Sequence, residues 1–198
     1  QVRVVNLTYL QPFSPPVVVA HTKDVALFQE GKPANDAIRL MAENGDNSGL
    51  VELLADDAVS PYICGATVAD EAVGPLQTWR GYVDVDTEKC PGKIVFSTVG
   101  MLVNTNDAFY GVDSVTLPTD GSVKRFAPAF DAGTEANNEL CSHIPGPACD
   151  MESGNLEATE GGEEMIHTQR GVHGIGNLTA ADYDWRNPVA EVFVQLQD

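Results

Sequence analysis

Apolar and polar positions alternate at both ends of the chain. QVRVVNLTY sets Val2, Val4 and Leu7 imperfectly to one side, and AEVFVQLQ does the same with Val192, Val194 and Leu196. A period of two predicts half-buried strands, and terminal strands of this kind close a sandwich by pairing. KIVFSTVGMLVNTND is a longer run rich in β-branched residues, read as one or two buried strands with a break near Gly100. VDSVTLP and SVKRFAPAF are shorter strands around the turn PTDGS, where Asp120-Gly121 supplies the bend. QTWRGYVDVD is a further strand candidate, with Tyr82 and Val85 at its apolar positions.

The period changes between residues 24 and 57. Leu27 and Phe28, then Ile38, Leu40 and Met41, then Leu50, Leu53 and Leu54 recur at helical spacing. Gly31-Lys32-Pro33 and Asn44-Gly45-Asp46 cut the pattern into two or three short helices. Helices confined to one stretch among strands predict a mostly β fold, an antiparallel β-sandwich with a short helical insertion near residues 24–57. The 198 residues suit a single domain spanning 1–198. The polar, Gly-rich stretch from CDMESGN to EGGEE reads as a long surface loop.

Charge narrows the partners. The formal net charge of −18 opposes nucleic acid and anionic membrane and favours divalent cations or basic partners. No apolar run reaches membrane-spanning length. A start at Gln1, inside a strand, fits a removed signal peptide or a trimmed chain. Cys64, Cys90, Cys141 and Cys149 contain no CxxC, a poor pattern for zinc and an acceptable one for two disulfides. Of three formal pairings, Cys64–Cys90 with Cys141–Cys149 is preferred, because IPGPA can fold back on itself between the last two. Disulfides imply an exported, oxidising destination, secreted, extracellular or periplasmic.

Four segments occur in the order of a known family. NLTYLQPFSPPVVVAHTKDVALFQEGKPA resembles the opening of a spondin N-terminal domain in its bacterial, stand-alone form. MLVNTNDAFYGVDSVTLP and FDAGTEANNELCSHIPGPAC resemble the family's central motifs, and DWRNPVAEVFVQL its closing strand. The resemblance covers nearly the whole chain. It implies a secreted two-sheet sandwich with a calcium ion in the loops at one end, an adhesion or recognition role, and no catalysis.

FDAGTEANNE is where that ion is expected. Asp131 ends an apolar strand, Gly133 permits a tight bend and Glu135 can reach back to the same point. Calcium takes six to eight oxygens, so a second loop must contribute. The resemblance supplies Asp107, from NTNDAFYGVD, as that donor. Asp107, Asp131 and Glu135 are therefore the expected ligands, with Asn106 and Glu139 as weaker ones. The competing reading is a capped turn, with Asp131 and Asn137 bonding local amides.

Other chemistry finds less to stand on. His167 and His173 lie close in HTQRGVHGIG, and if the first motif meets the last in space, His21 can join them in a copper or zinc site. His143 reads as a surface residue. The chain has no GxSxG elbow, and Asp56-Asp57 and Glu163-Glu164 read as solvated surface. The sequons at Asn6 and Asn177 are expected to stay unmodified, since the resemblance is to bacterial members. Trp79, Trp185 and Tyr183 read as packing residues. The expected partner is a protein or glycan, or other copies of the chain joined through the strand QVRVVNLTY.

Overall fold

The computed structural model describes residues 1–117, 121–149 and 159–197. Its strands are β1 (Val2–Asn6), β2 (Val17–His21), β3 (Ile63–Val68), β4 (Thr78–Gly81), β5 (Val95–Met101), β6 (Ala108–Thr116), β7 (Ser122–Ala127), β8 (Ala129–Asp131), β9 (His167–Thr168) and β10 (Ala190–Gln195). Among the described residues, helices α1 (Asp36–Asn44), α2 (Ser48–Ala55) and α3 (Ala180–Tyr183) and three short 3₁₀ turns make up the rest of the regular structure. A four-stranded sheet runs β4-β1-β10-β7 and a six-stranded sheet runs β3-β2-β5-β6-β8-β9, every pairing antiparallel.

The burial pattern explains both kinds of strand seen in the sequence. In the small sheet, Val2, Val4, Val192 and Val194 face Val18, Phe96, Tyr110 and Val112 of the large one, and the opposite face of the small sheet meets solvent. One covered face yields alternation. The large sheet is covered on both sides, because α1 and α2 pack Ile38, Met41 and Leu50 onto Val17, Val19, Val99, Met101 and Phe109. β2 and β5 are therefore buried at every position and read as unbroken apolar runs. Each such large side chain contributes about 1.5–3 kcal/mol by leaving water.

α1 starts where Asn35 accepts the Ile38 N–H and stops where Gly45 turns left-handed at φ 67°. Leu27 and Phe28, expected in a helix, instead lie in an irregular segment whose side chains still reach the helical-side core. Gly100 does not break the long strand. It sits inside β5, and a Cβ there would lie 2.6 Å from the Tyr110 ring, so its small size admits Tyr110 to the core. The break falls after Met101. β6 also starts earlier than VDSVTLP, at Ala108. The inward position after Val4 is Asn6 rather than Leu7, with the Asn6 amide bonded to the Gln11 and Val73 carbonyls. That burial also removes Asn6 from any glycan.

β1 lies between β4 and β10, so QVRVVNLTY offers no free edge for a neighbouring copy. It does close the sandwich with β10, as terminal strands were expected to do. Gly121 takes the left-handed turn conformation, while Asp120 lies outside the described residues, as do residues 150–158 of the expected long loop. Cys64–Cys90 and Cys141–Cys149 are both bonded, closing loops of 26 and 8 residues in sequence separation. Such bonding is characteristic of an oxidising, non-cytoplasmic compartment. Among the described residues, no helix is long and apolar enough to cross a membrane.

Candidate metal centre at the loop end

β6 begins and β8 ends at the same edge of the large sheet, with Ala108 opposite Asp131. β9 then places His167 directly opposite Asp131 on the other side. The turn before β6 and the loop after β8 thus bring residues 104–107, 131–139 and 163–169 to one end of the sandwich.

Asp107 is fully buried and clasps the neighbouring loop. Its Oδ2 accepts the backbone N–H of Thr134 at 2.8 Å and of Glu135 at 3.0 Å, and the Thr134 hydroxyl at 3.2 Å. Its Oδ1 is buried and bonded to nothing among the described residues. Glu135 repeats the pattern: Oε1 accepts the Thr159 N–H at 3.2 Å, and Oε2 is buried with no hydrogen bond of ordinary geometry among the described residues, although the nearby Asn106 side chain favours the charged carboxylate. Asp131 is better satisfied. Its Oδ1 accepts the Gly133 N–H at 2.8 Å, and its Oδ2 accepts the side-chain amides of Asn137 at 2.7 Å and Gln169 at 3.0 Å. Gly133 turns left-handed at φ 70°, as the bend requires.

The field at this end is negative, opposed in part by His167 at Asp131 and His143 at Glu135. Burial, then the charge of Asp131, pushes Asp107 up to about 7 from an ordinary 3.8, against the pull of two backbone N–H groups. Burial raises Glu135 to about 7 as well, with the Thr159 N–H opposing and the Glu43 charge adding to the rise. Asp131 is raised by burial despite its amide and N–H donors. Among the described residues, no lysine or arginine pairs with any of the three.

Asn106 and Glu139 serve the loops differently. The Asn106 oxygen accepts the Glu139 N–H at 3.2 Å and its amide donates to Asn138. Glu139, left-handed at φ 56°, accepts the N–H groups of His173 and Ile175 on its two oxygens, tying down the 171–177 segment. Of the capped turn expected in FDAGTEANNE, Asp131 accepts the Gly133 backbone N–H. The Asn137 side chain instead bonds only side chains among the described residues, donating to Asp131 and accepting from Gln169. One oxygen each of Asp107 and Glu135 makes no hydrogen bond among the described residues.

Among the described residues, one group of three ligand atoms converges. Asp131, Glu163 and His167 each offer an atom within 4.8 Å of the others, a set able to hold a metal ion. Asp107 and Glu135 are outside that group. His167 Nε2 lies 3.7 Å from Asp131 Oδ1 and 3.6 Å from Glu163 Oε2, too far for hydrogen bonds. Burial works against the His167 cation, but the Thr168 carbonyl and the two carboxylates outweigh it and raise the imidazole. All three residues line a cleft of about 810 Å³ that also exposes Glu30, His173 and Arg170. Sequence reasoning missed Glu163 and Gln169. Glu163 read as surface, and only its four-residue offset from His167 hinted otherwise.

His21 does not join them. It sits at the opposite end of β2, fully buried, with Nε2 2.7 Å from the Ser97 hydroxyl and Nδ1 2.7 Å from the Thr22 carbonyl. Ser97 in turn donates to Asp113 at 3.0 Å, so this histidine belongs to a buried structural network. His143 is half-buried rather than on the surface, and its charge acts on Glu135. Trp79, Trp185 and Tyr183 pack against the inter-sheet core.

The chain is thus an antiparallel β-sandwich with an acidic, metal-competent cluster in the loops at one end. No family model matches it, and no curated protein matches it.

Proposed function

We propose that this chain is a secreted, calcium-binding β-sandwich acting as a non-catalytic recognition or structural module. The observation that carries the reading is the pair of buried carboxylate oxygens on Asp107 and Glu135 that make no hydrogen bond among the described residues, with no lysine or arginine paired to either there. A buried carboxylate without a counter-charge costs several kcal/mol. An oxygen-seeking divalent ion removes that cost, and calcium tolerates the irregular set that Asp107, Glu135 and loop carbonyls can provide, with Asp131 turned to His167 and outside it. The resemblance to spondin N-terminal domains supports the same end of the sandwich and the same ion. The ion clamps the turn before β6 to the loop after β8, and the rigid end presents its cleft to a protein or glycan partner outside the cytoplasm. Both disulfides agree with that location.

Calorimetric titration of the chelator-treated protein tests this. One calcium per chain is expected, with proton release near pH 7 as the raised carboxylates ionise. Glu135→Gln is expected to lower the affinity at least ~10-fold. Titration without heat or proton release would sink the reading.

A further inference from the structure

We propose that Asp131, Glu163 and His167 form a second, separate site for a zinc-class divalent ion at the mouth of the cleft. Three features of the geometry converge on it. The β8–β9 register sets Asp131 and His167 opposite one another, so two of the donors are fixed by backbone pairing rather than by loop conformation. His167 Nδ1 faces the Thr168 carbonyl at 3.1 Å, and a carbonyl can only accept. Nδ1 therefore carries a hydrogen, which leaves Nε2 as the ring nitrogen that faces the two carboxylates and the one a metal ion can take in place of a proton. That nitrogen atom is buried and makes no hydrogen bond of ordinary length among the described residues, so a metal ion would replace a proton as the charge between it and the two carboxylates. This is also the orienting contact commonly found behind a metal-bound histidine.

The distances suit a small ion. Bonds of about 2.0–2.2 Å in a tetrahedral site place neighbouring donors about 3.4 Å apart. The two separations from His167 are 3.6 and 3.7 Å, a few tenths of an ångström from that spacing, and the two carboxylate donors lie within 4.8 Å of each other. Asp131 is braced for it from behind, with Gln169 and Asn137 holding its other oxygen. A donor set of one imidazole and two carboxylates favours zinc over calcium, which prefers an all-oxygen shell of six or more. Three protein ligands leave a coordination position, and the cleft that all three line gives an outside ligand access to it.

This site uses neither Asp107 nor Glu135, so it stands or falls apart from calcium binding there. It also differs from a three-histidine site, since His21 is at the far end of the sandwich and His173 makes no part of the converging group.

The test is titration of the metal-stripped full chain with cobalt(II) followed by its visible absorption, and with zinc in competition. One equivalent is expected, displaced by zinc and unaffected by excess calcium. His167→Ala and Glu163→Gln are each expected to weaken cobalt binding by on the order of 100-fold, and His173→Ala to leave it unchanged. Both altered side chains are partly exposed, and the Glu163 change is nearly isosteric, so folding is expected to survive. Absence of a cobalt spectrum in the unaltered chain would overturn the proposal. So would a His167→Ala chain that binds as tightly as the original.

Discussion

Stripped of calcium, the protein is expected to lose stability as pH rises from about 4 to about 7, and Asp107→Asn is expected to remove much of that loss. Burial holds Asp107 and Glu135 near 7 in the folded chain, against 3.8 and 4.5 ordinarily. Between those values the folded chain keeps protons that the unfolded chain has already released. Stability therefore falls with rising pH across that window and levels off above it. For Asp107 alone the rise from 3.8 to about 7 corresponds to at most about 4 kcal/mol.

Asparagine keeps the oxygen that accepts from Thr134 and Glu135 and replaces the unbonded oxygen with an amide, a neutral donor in the field of Asp131. Without calcium the variant should thus be more stable than the original at pH 7, by on the order of 2–4 kcal/mol. With calcium the order reverses, because the variant has given up a ligand. Chemical denaturation from pH 4 to 8, with and without calcium, reads both effects. A destabilised variant under both conditions would mean that Asp107 is there only for its hydrogen bonds.

Gly133→Ala is expected to be the most damaging small substitution at the loop end. Gly133 sits at φ 70°, and a Cβ there would lie 2.3 Å from the Met165 carbonyl oxygen and 2.7 Å from its nitrogen. The left-handed conformation alone costs alanine about 1–2 kcal/mol. The clash is with backbone, so one of the two strands of chain has to move, and the total should exceed about 3 kcal/mol. The segment pushed aside carries Glu163 and Glu164, the latter bonded to the Gly133 carbonyl at 2.9 Å, and leads directly into His167. Both metal affinities should fall together, unlike the selective losses from Glu135→Gln or His167→Ala. A variant that melts and binds like the original would show that the loops can separate without consequence.

The sheets were readable because burial imposes period. β1 and β10 have one wet face and alternate, and β2 and β5 have none and do not. What escaped was whatever depends on partners distant in sequence. Gly100 looks like a strand breaker until Tyr110 is seen against it. His21 looks like a metal ligand until Ser97, itself bonded to Asp113 of another strand, and the Thr22 carbonyl take up its ring. At the loop end, Asp107, Asp131 and Glu135 were visible as oxygen donors around a glycine bend. The division of labour among them was not. Asp131 turns toward His167 because β8 pairs with β9, a register no local pattern announces. Glu163 was passed over because acidic pairs on a surface are ordinary, and only the fold brings this one within reach of His167.

Calcium as the ion that completes the loop end is tested most directly by calorimetric melting of the full chain in EGTA, then with calcium restored, and with magnesium as the control ion. At a calcium concentration about 100 times Kd the ion contributes about 2.7 kcal/mol, so Tm is expected to rise by about 5–10 °C over the chelated state. Magnesium, smaller and bound to its own water, should recover little of that rise. Identical melting curves in EGTA and in calcium would contradict calcium as a constituent of this end of the sandwich.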